Sequence, residues 1–240
     1  MAKKDFYLII DTETTMTHKV ADFAAVVVDR KGAVHNQCAI LVNGIYTDMQ
    51  THPLFHSLSS ADTVFGKDTL DRRYKAYNDM AANGRRMIAT PQAINKWIAK
   101  AIDTYNPTLT AYNLSFDIEK CRNTGIDVDG FTSKFCLWYS AFTKWAHTKE
   151  YRNFVLAAHA FNPPTKYGNM SFKTNAEVMA RFVMNNPTLP DEPHTALEDI
   201  LDYELPILTK LLKNWSRKQL LETTSFDWKK VQVRDWFTAK

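Results

Sequence analysis

The order of apolar segments predicts an α/β fold, a five-stranded sheet flanked by helices. Three observations lead there. Three strand-like segments open the chain, helix and strand patterns then alternate, and well-signalled helices close it. Phe6-Tyr7-Leu8-Ile9-Ile10 is a short unbroken apolar run, as expected of a strand covered on both faces. Lys19 to Asp29 and Ala33 to Val42 are rich in Val, Ile and Ala, and Arg30-Lys31-Gly32 between them predicts a hairpin.

The segment from Asn43 to Ala89 is less regular. Through Ser60 it holds Pro53 and no sustained period. Asp68 to Ala82 is predicted helical, with Leu70, Tyr74, Tyr77 and Ala81 near one face and Asn83-Gly84 as its stop. Its Arg72, Arg73 and Lys75, and Arg85-Arg86 beyond it, suit either phosphate contacts or a solvated face. Thr90 then caps a helix with Pro91 at its first position and Ile94, Trp97, Ile98, Ala101 and Ile102 at helical spacing. Leu109 to Tyr112 is the fourth strand, 114–123 a helix stopped by Gly125, Thr132 to Leu137 the fifth strand, and Trp138 to His147 a helix. Thr174-x-x-Glu177 and Thr195-x-x-Glu198 have the spacing of capping boxes, which start helices over Thr174 to Met184 and Thr195 to Leu212.

Composition excludes several classes. Of 240 residues, 45% are hydrophobic and 23% charged, ordinary for a globular protein. No apolar run approaches the roughly 18 residues of a membrane span. Met1-Ala2-Lys3-Lys4 is followed by too short an apolar run for a secretion signal, so a cytoplasmic location is expected. Cys38, Cys121 and Cys136 lack metal-site or disulfide spacing. No phosphate-binding loop and no nucleophile elbow occurs. His52 and His56 are four apart but flank Pro53, and no acid is near them in sequence; His18, His35, His147 and His159 show no partner pattern.

The net charge of +4 is compatible with nucleic acid. From Lys213 to Lys240 seven basic residues face three acids, an excess equal to that of the whole chain. Trp215, Phe226, Trp228, Trp236 and Phe237 interleave with them, so this tail is either a strand-tracking surface with stacking platforms or a segment docked by its aromatics.

The chemistry lies in scattered carboxylates. Alternation along the first strand points Asp11 and Glu13 to one side. Asp117 falls in the first turn of a helix after the fourth strand, at the kind of strand end where α/β sheets place ligands. His194 stands in a Pro-preceded loop, and Asp199 follows in the last helix, where Glu198 is expected to be occupied by capping. Singly, each has an ordinary structural explanation: a solvated acid, a helix-dipole partner, a surface histidine. Brought together, four acids require a cation. Oxygen-rich, Cys-free coordination points to Mg²⁺ or Mn²⁺, and two such ions suit in-line displacement at phosphorus with His194 as proton acceptor.

Asp11-x-Glu13, Asn113-x-x-Phe116-Asp117 and His194-x4-Asp199 resemble, in order, the three motifs of the DnaQ-like 3′–5′ exonucleases, in the branch carrying a histidine (DEDDh). The resemblance spans residues 11 to 199. It implies a ribonuclease H-like fold with a mixed sheet whose second strand is antiparallel. It implies two Mg²⁺ or Mn²⁺ ions held by Asp11, Glu13, Asp117 and Asp199, His194 as general base, and 5′-mononucleotide products. It also implies that Thr12, Thr14, Asn113 and Phe116 contact the terminal nucleotide. Residues 1–213 would then be the exonuclease domain, 43–89 a partly helical insertion and 214–240 a basic, aromatic tail outside the shared core. Met16 departs from the family, standing where a glycine is frequent; either the turn differs or Met16 is an apolar wedge beside the terminal base.

The expected substrate is a single-stranded 3′ end, with DNA slightly favoured over RNA. The rivals are an RNA-trimming or oligoribonucleotide-degrading enzyme with the same site, a nucleic-acid- or partner-binding protein that keeps the fold without turnover, and a proofreading subunit docked on a polymerase by its tail.

Overall fold

Continuous apolar sequence gives β1 (Phe6–Thr14) no solvent face over its first half: Tyr7, Leu8, Ile9 and Ile10 are fully buried. Each such side chain contributes about 1.5–3 kcal/mol on leaving water. The computed structural model describes residues 5–48, 50–52, 54 and 67–233, with backbone alone over 67–72. The expectations for Pro53 and His56, and for the tail from Arg234 onward with Trp236 and Phe237, fall outside these residues.

β1 pairs antiparallel with β2 (Val20–Asp29), which pairs antiparallel with β3 (Val34–Val42). The hairpin turn is made by Asp29, whose Oδ1 accepts the amides of Lys31 and Ala33, and by Gly32 at φ 84°. A Cβ on Gly32 would lie 2.6 Å from Thr209 Oγ1, so this turn also packs closely on a helix.

After α1 (Lys67–Ala82), β4 (Met87–Ala89) adds to β3 in parallel. Past α2 (Pro91–Tyr105), β5 (Thr108–Ala111) pairs parallel with β1, and past α3 (Leu114–Thr124), β6 (Lys134–Cys136) pairs parallel with β5. The result is a mixed sheet of six strands, in the order β4-β3-β2-β1-β5-β6, in which β2 runs against both neighbours. Five strands were expected. The sixth, β4, is three residues on the sheet edge with Met87 and Ile88 exposed, so it carries no burial pattern to read.

Alternation along β1 divides the core. Tyr7 and Ile9 face the C-terminal helices: α4 (Leu137–Ala141), α5 (Lys149–Ala157), α6 (Ala176–Met184), α7 (Ala196–Asp199), α8 (Leu205–Leu212) and α9 (Arg217–Glu222). Leu8 and Ile10 face α2 and α3. A smaller cluster of Ala21, Leu41, Tyr46, Leu54, Tyr77 and Met80 seats α1 beside β2 and β3. Leu220 and Val231 are fully buried with the C-terminal helices, and Phe226 packs at 4.5 Å from Phe142 and 4.8 Å from Trp138 between ring centroids. The described part of the aromatic tail is thus docked on the core. No described helix is long and apolar enough to cross a membrane.

The last helical run is not uniform. Between α7 and α8, Ile200–Glu204 form a π-helical turn. Pro206, which has no amide for the carbonyl four residues back, lies two residues past its end. Neither expected capping box forms. Asn175, not Thr174, stands at the N-cap of α6 and makes no side-chain cap bond, Glu177 pairs with Arg181, and Thr174 Oγ1 accepts Trp138 Nε1. Thr195 does stand at the N-cap of α7 but makes no side-chain cap bond, and the Glu198 carboxylate pairs with Arg86.

Arg86, between α1 and β4, is an ion with no exposed side-chain surface. Its Nε and Nη2 donate to Asp22 Oδ1 and Oδ2 at 3.0 and 3.2 Å, and Nη2 also to Glu198 Oε2 at 2.5 Å. Asp22 Oδ2 in turn accepts the Ala196 amide at 3.0 Å. One buried guanidinium therefore locks β2 to the start of α7. Replacing it, as in Arg86→Met, is expected to destabilise the chain by about 3–5 kcal/mol, because Asp22 is left as an unpaired buried charge. Urea denaturation measures this, and a loss under about 1 kcal/mol would show that the pair does not hold the two elements.

Candidate metal centre

The end of β1 places its acids by register. Asp11 pairs across the sheet with Ala24 and Glu13 with Asp22, so all four share the face covered by the C-terminal helices. The small Ala24 leaves room beside Asp11. Immediately after Glu13 the β1–β2 register shifts, and this bulge re-aims the strand at its exit.

Glu13 and Asp199 are buried, His194 is half-buried, and one ligand atom of each lies within 4.8 Å of the others. His194, expected as a base rather than a ligand, stands inside this trio. Asp11 and Asp117 lie outside it but within reach of its charges, which they repel. Asp117 arrives from α3, which packs on the sheet's other face, and its Oδ1 accepts the Thr12 hydroxyl at 2.8 Å. Thr12 points to that face because it alternates with Asp11 and Glu13.

Burial dominates the ionisation of these groups. Enclosure and then the charge of Asp117 hold Asp11 well above the usual carboxylate range. Burial followed by Asp11 pushes Glu13 up to about 8, burial pushes Asp117 up to about 8, and burial with Asp11 and Glu13 pushes Asp199 up to about 10. Asp11 Oδ2 and Asp199 Oδ1 are enclosed with no hydrogen-bond partner. Orphaned buried oxygens cost about 1–3 kcal/mol each, more if charged, a cost that protonation or a bound cation would relieve. A donor set of carboxylate oxygens and one imidazole fits Mg²⁺ or Mn²⁺.

The other expected residues lie beside these acids in the chain. Thr14 is buried, and Asn113 caps α3 in the left-handed region at φ 78°. Phe116 is 40% exposed, with the Lys120 ammonium 4.7 Å from its ring centre. Met16 is exposed on the turn after β1, and the positive φ of that turn falls on His18, not on Met16. A glycine at position 16 is therefore not required by the backbone.

Sequence reasoning did not find four participants. Arg73 on α1 donates to Glu13 Oε2 at 3.5 Å and to the His194 carbonyl, and Tyr77 OH donates to the same carbonyl at 3.2 Å. Glu204 accepts the Tyr112 amide on Oε1 at 3.1 Å, keeps Oε2 enclosed and unpartnered, and is raised well above its usual range by burial, Asp11 and Asp117. Glu192, beside the His194 loop, is pushed up to about 7 by burial and Glu177. The one signal for Arg73 was its place in a basic helix face, which also fits solvation. Glu204 had none, since helical spacing turns it roughly 140° from Asp199 and only the π turn reduces that angle.

No family model and no curated protein matches this chain.

A carboxyl whose pKa is raised by folding takes up protons in the folded state. It therefore supports stability below its unfolded value, near 4, and loses that support as pH rises through its folded value. For Glu13 and Asp117 the loss runs from about pH 4 to about 8. The metal-free melting temperature is expected to fall over that window, and Mg²⁺ or Mn²⁺ to raise it more at pH 8 than at pH 5, with proton release on binding. Calorimetric melting with and without divalent ions checks this; a melting temperature at pH 8 indifferent to both ions would count against the site.

Proposed function

We propose that the chain is a metal-dependent phosphodiesterase. More narrowly, we read it as a 3′–5′ exonuclease of the DnaQ-like type with a histidine in its third motif, acting on single-stranded DNA ends. The observation that supports this reading is the convergence of Glu13, His194 and Asp199, with Asp11 on the same strand, Asp117 held through Thr12, and enclosed oxygens on Asp11 and Asp199 lacking any hydrogen bond. A sheet whose second strand runs against its neighbours also supports a ribonuclease H-like arrangement, extended by β4.

Asp11, Glu13, Asp117 and Asp199 would hold two Mg²⁺ or Mn²⁺ ions, which when bound supply activation of water and neutralisation of phosphate charge. His194 accepts the proton that the attacking water loses as its oxygen bonds to phosphorus and the P–O3′ bond breaks. Thr12 is held by Asp117, so strand and helix are fixed to each other beneath the terminal nucleotide. Phe116 offers an exposed ring face for a base, and Met16 a second apolar contact from the turn. Asn113, in its left-handed cap, presents the start of α3 to the same nucleotide. The products are a 5′-mononucleotide and a strand one residue shorter.

End-labelled single-stranded DNA, duplex DNA and single-stranded RNA, digested in parallel across a metal titration, test the reading. Mononucleotide release from single-stranded DNA with Mg²⁺ or Mn²⁺ is expected. Release from RNA alone would replace DNA with RNA as substrate, and no release from any would sink the activity. Asp11→Ala and Asp199→Ala should abolish turnover in a folded chain, and near-wild-type rates in either would remove the site. His194→Ala should slow turnover roughly 10²–10⁴-fold, as loss of a general base does.

A further inference from the structure

His194 holds its loop in the left-handed region, at φ 53°. A non-glycine residue stays there only where its surroundings hold it. The flanks of the loop are tied to their own side of the molecule. Tyr203 OH donates to the carbonyls of Pro190 and Asp191 at 3.0 Å each, Arg181 Nε to that of Leu189 at 2.8 Å, and the Ala196 amide to Asp22. The His194 carbonyl itself is gripped from α1, by Arg73 Nη2 and by Tyr77 OH. Tyr77 is 1% exposed within the cluster that seats α1, and the Arg73 side chain is 12% exposed. The same Nη2 lies 3.5 Å from Glu13 Oε2.

We propose that Arg73 and Tyr77 are positioning residues for His194: their two donors clamp its carbonyl oxygen and fix where the imidazole stands relative to Glu13 and Asp199. The clamp comes from the 43–89 segment, which none of the three motifs includes. Docking of α1 is thereby made a condition of an assembled site. The inference rests on the nuclease reading for its kinetic consequence, and on geometry alone for the posture of the loop.

Arg73→Ala, Arg73→Lys and Tyr77→Phe, each alone and combined with His194→Ala, test it. Tyr77→Phe keeps the buried ring and removes only the hydroxyl. Arg73→Ala and Tyr77→Phe are expected to lower kcat roughly 10- to 100-fold, with KM within about twofold, and Arg73→Lys to recover part of the loss. On a His194→Ala background the further loss should be under about twofold, because residues acting through one group do not add. Multiplicative losses there, or an unchanged kcat, would overturn the proposal. Amide hydrogen exchange of residues 194–196 in the metal-free chains needs no activity: about tenfold faster exchange is expected in Tyr77→Phe and Arg73→Ala, with the global melting transition of Tyr77→Phe kept. Unaltered exchange overturns the clamp even if wild type is an active nuclease. Accelerated exchange in a chain that releases no nucleotide would instead retire the nuclease reading and leave the clamp standing. Should Arg73→Ala fail to fold, Tyr77→Phe and Arg73→Lys decide.

Discussion

Two like charges about 4 Å apart repel by about 4 kcal/mol at an effective dielectric near 20. This chain brings Asp11, Glu13, Asp117, Asp199 and Glu204 into electrostatic contact at one end of its sheet, all but Asp11 buried. Such a cluster is unstable by itself, and much of the architecture can be read as what holds it in place. β1 is anchored by four fully buried apolar residues and by pairing on both edges, so its acids cannot swing out to water. The oxygens left unpartnered on Asp11, Asp199 and Glu204 are the part of the constraint that protein groups do not relieve.

Two arginines frame the cluster. Arg86 pairs with Asp22 and Glu198, and it fixes the start of the helix that carries Asp199. Arg73 stands closer, touching Glu13 and the His194 peptide. Both come from the stretch between β3 and α2, which looked like an accessory insertion. In the fold that stretch supplies a sheet edge, β4, together with cations facing the acids. The π turn over Ile200–Glu204 has a comparable role: it precedes Pro206, and it brings Glu204 toward the acids.

What could be read in advance was set by local rules. An unbroken apolar run marked β1 and a Val- and Ala-rich segment β2, Pro91 and Gly125 marked helix ends, and the alternation of a strand put Asp11 and Glu13 on one side. Local rules also misled. The spacing Thr195-x-x-Glu198 fits a capping box, yet Glu198 goes to Arg86, because an ion pair with a buried guanidinium outweighs a cap of about 1 kcal/mol. The tail read equally as a binding surface or a docked segment, since aromatic residues suit both. Burial of Leu220 and Val231 follows from a core that exists only once the C-terminal helices have met.

The sequence by itself determined the alternating α/β order, the strand that presents two carboxylates, and the spacing of the acids and the histidine. These depend on periodicity and on neighbours a few residues apart. Tertiary structure alone decided that Glu13, His194 and Asp199 converge while Asp117 joins through Thr12, that Arg73 and Tyr77 clamp the histidine loop, and that a fifth carboxylate, Glu204, faces the cluster. Those relations join residues tens to more than a hundred positions apart. Their energies come from burial and charge, which no local pattern records until the chain has enclosed them.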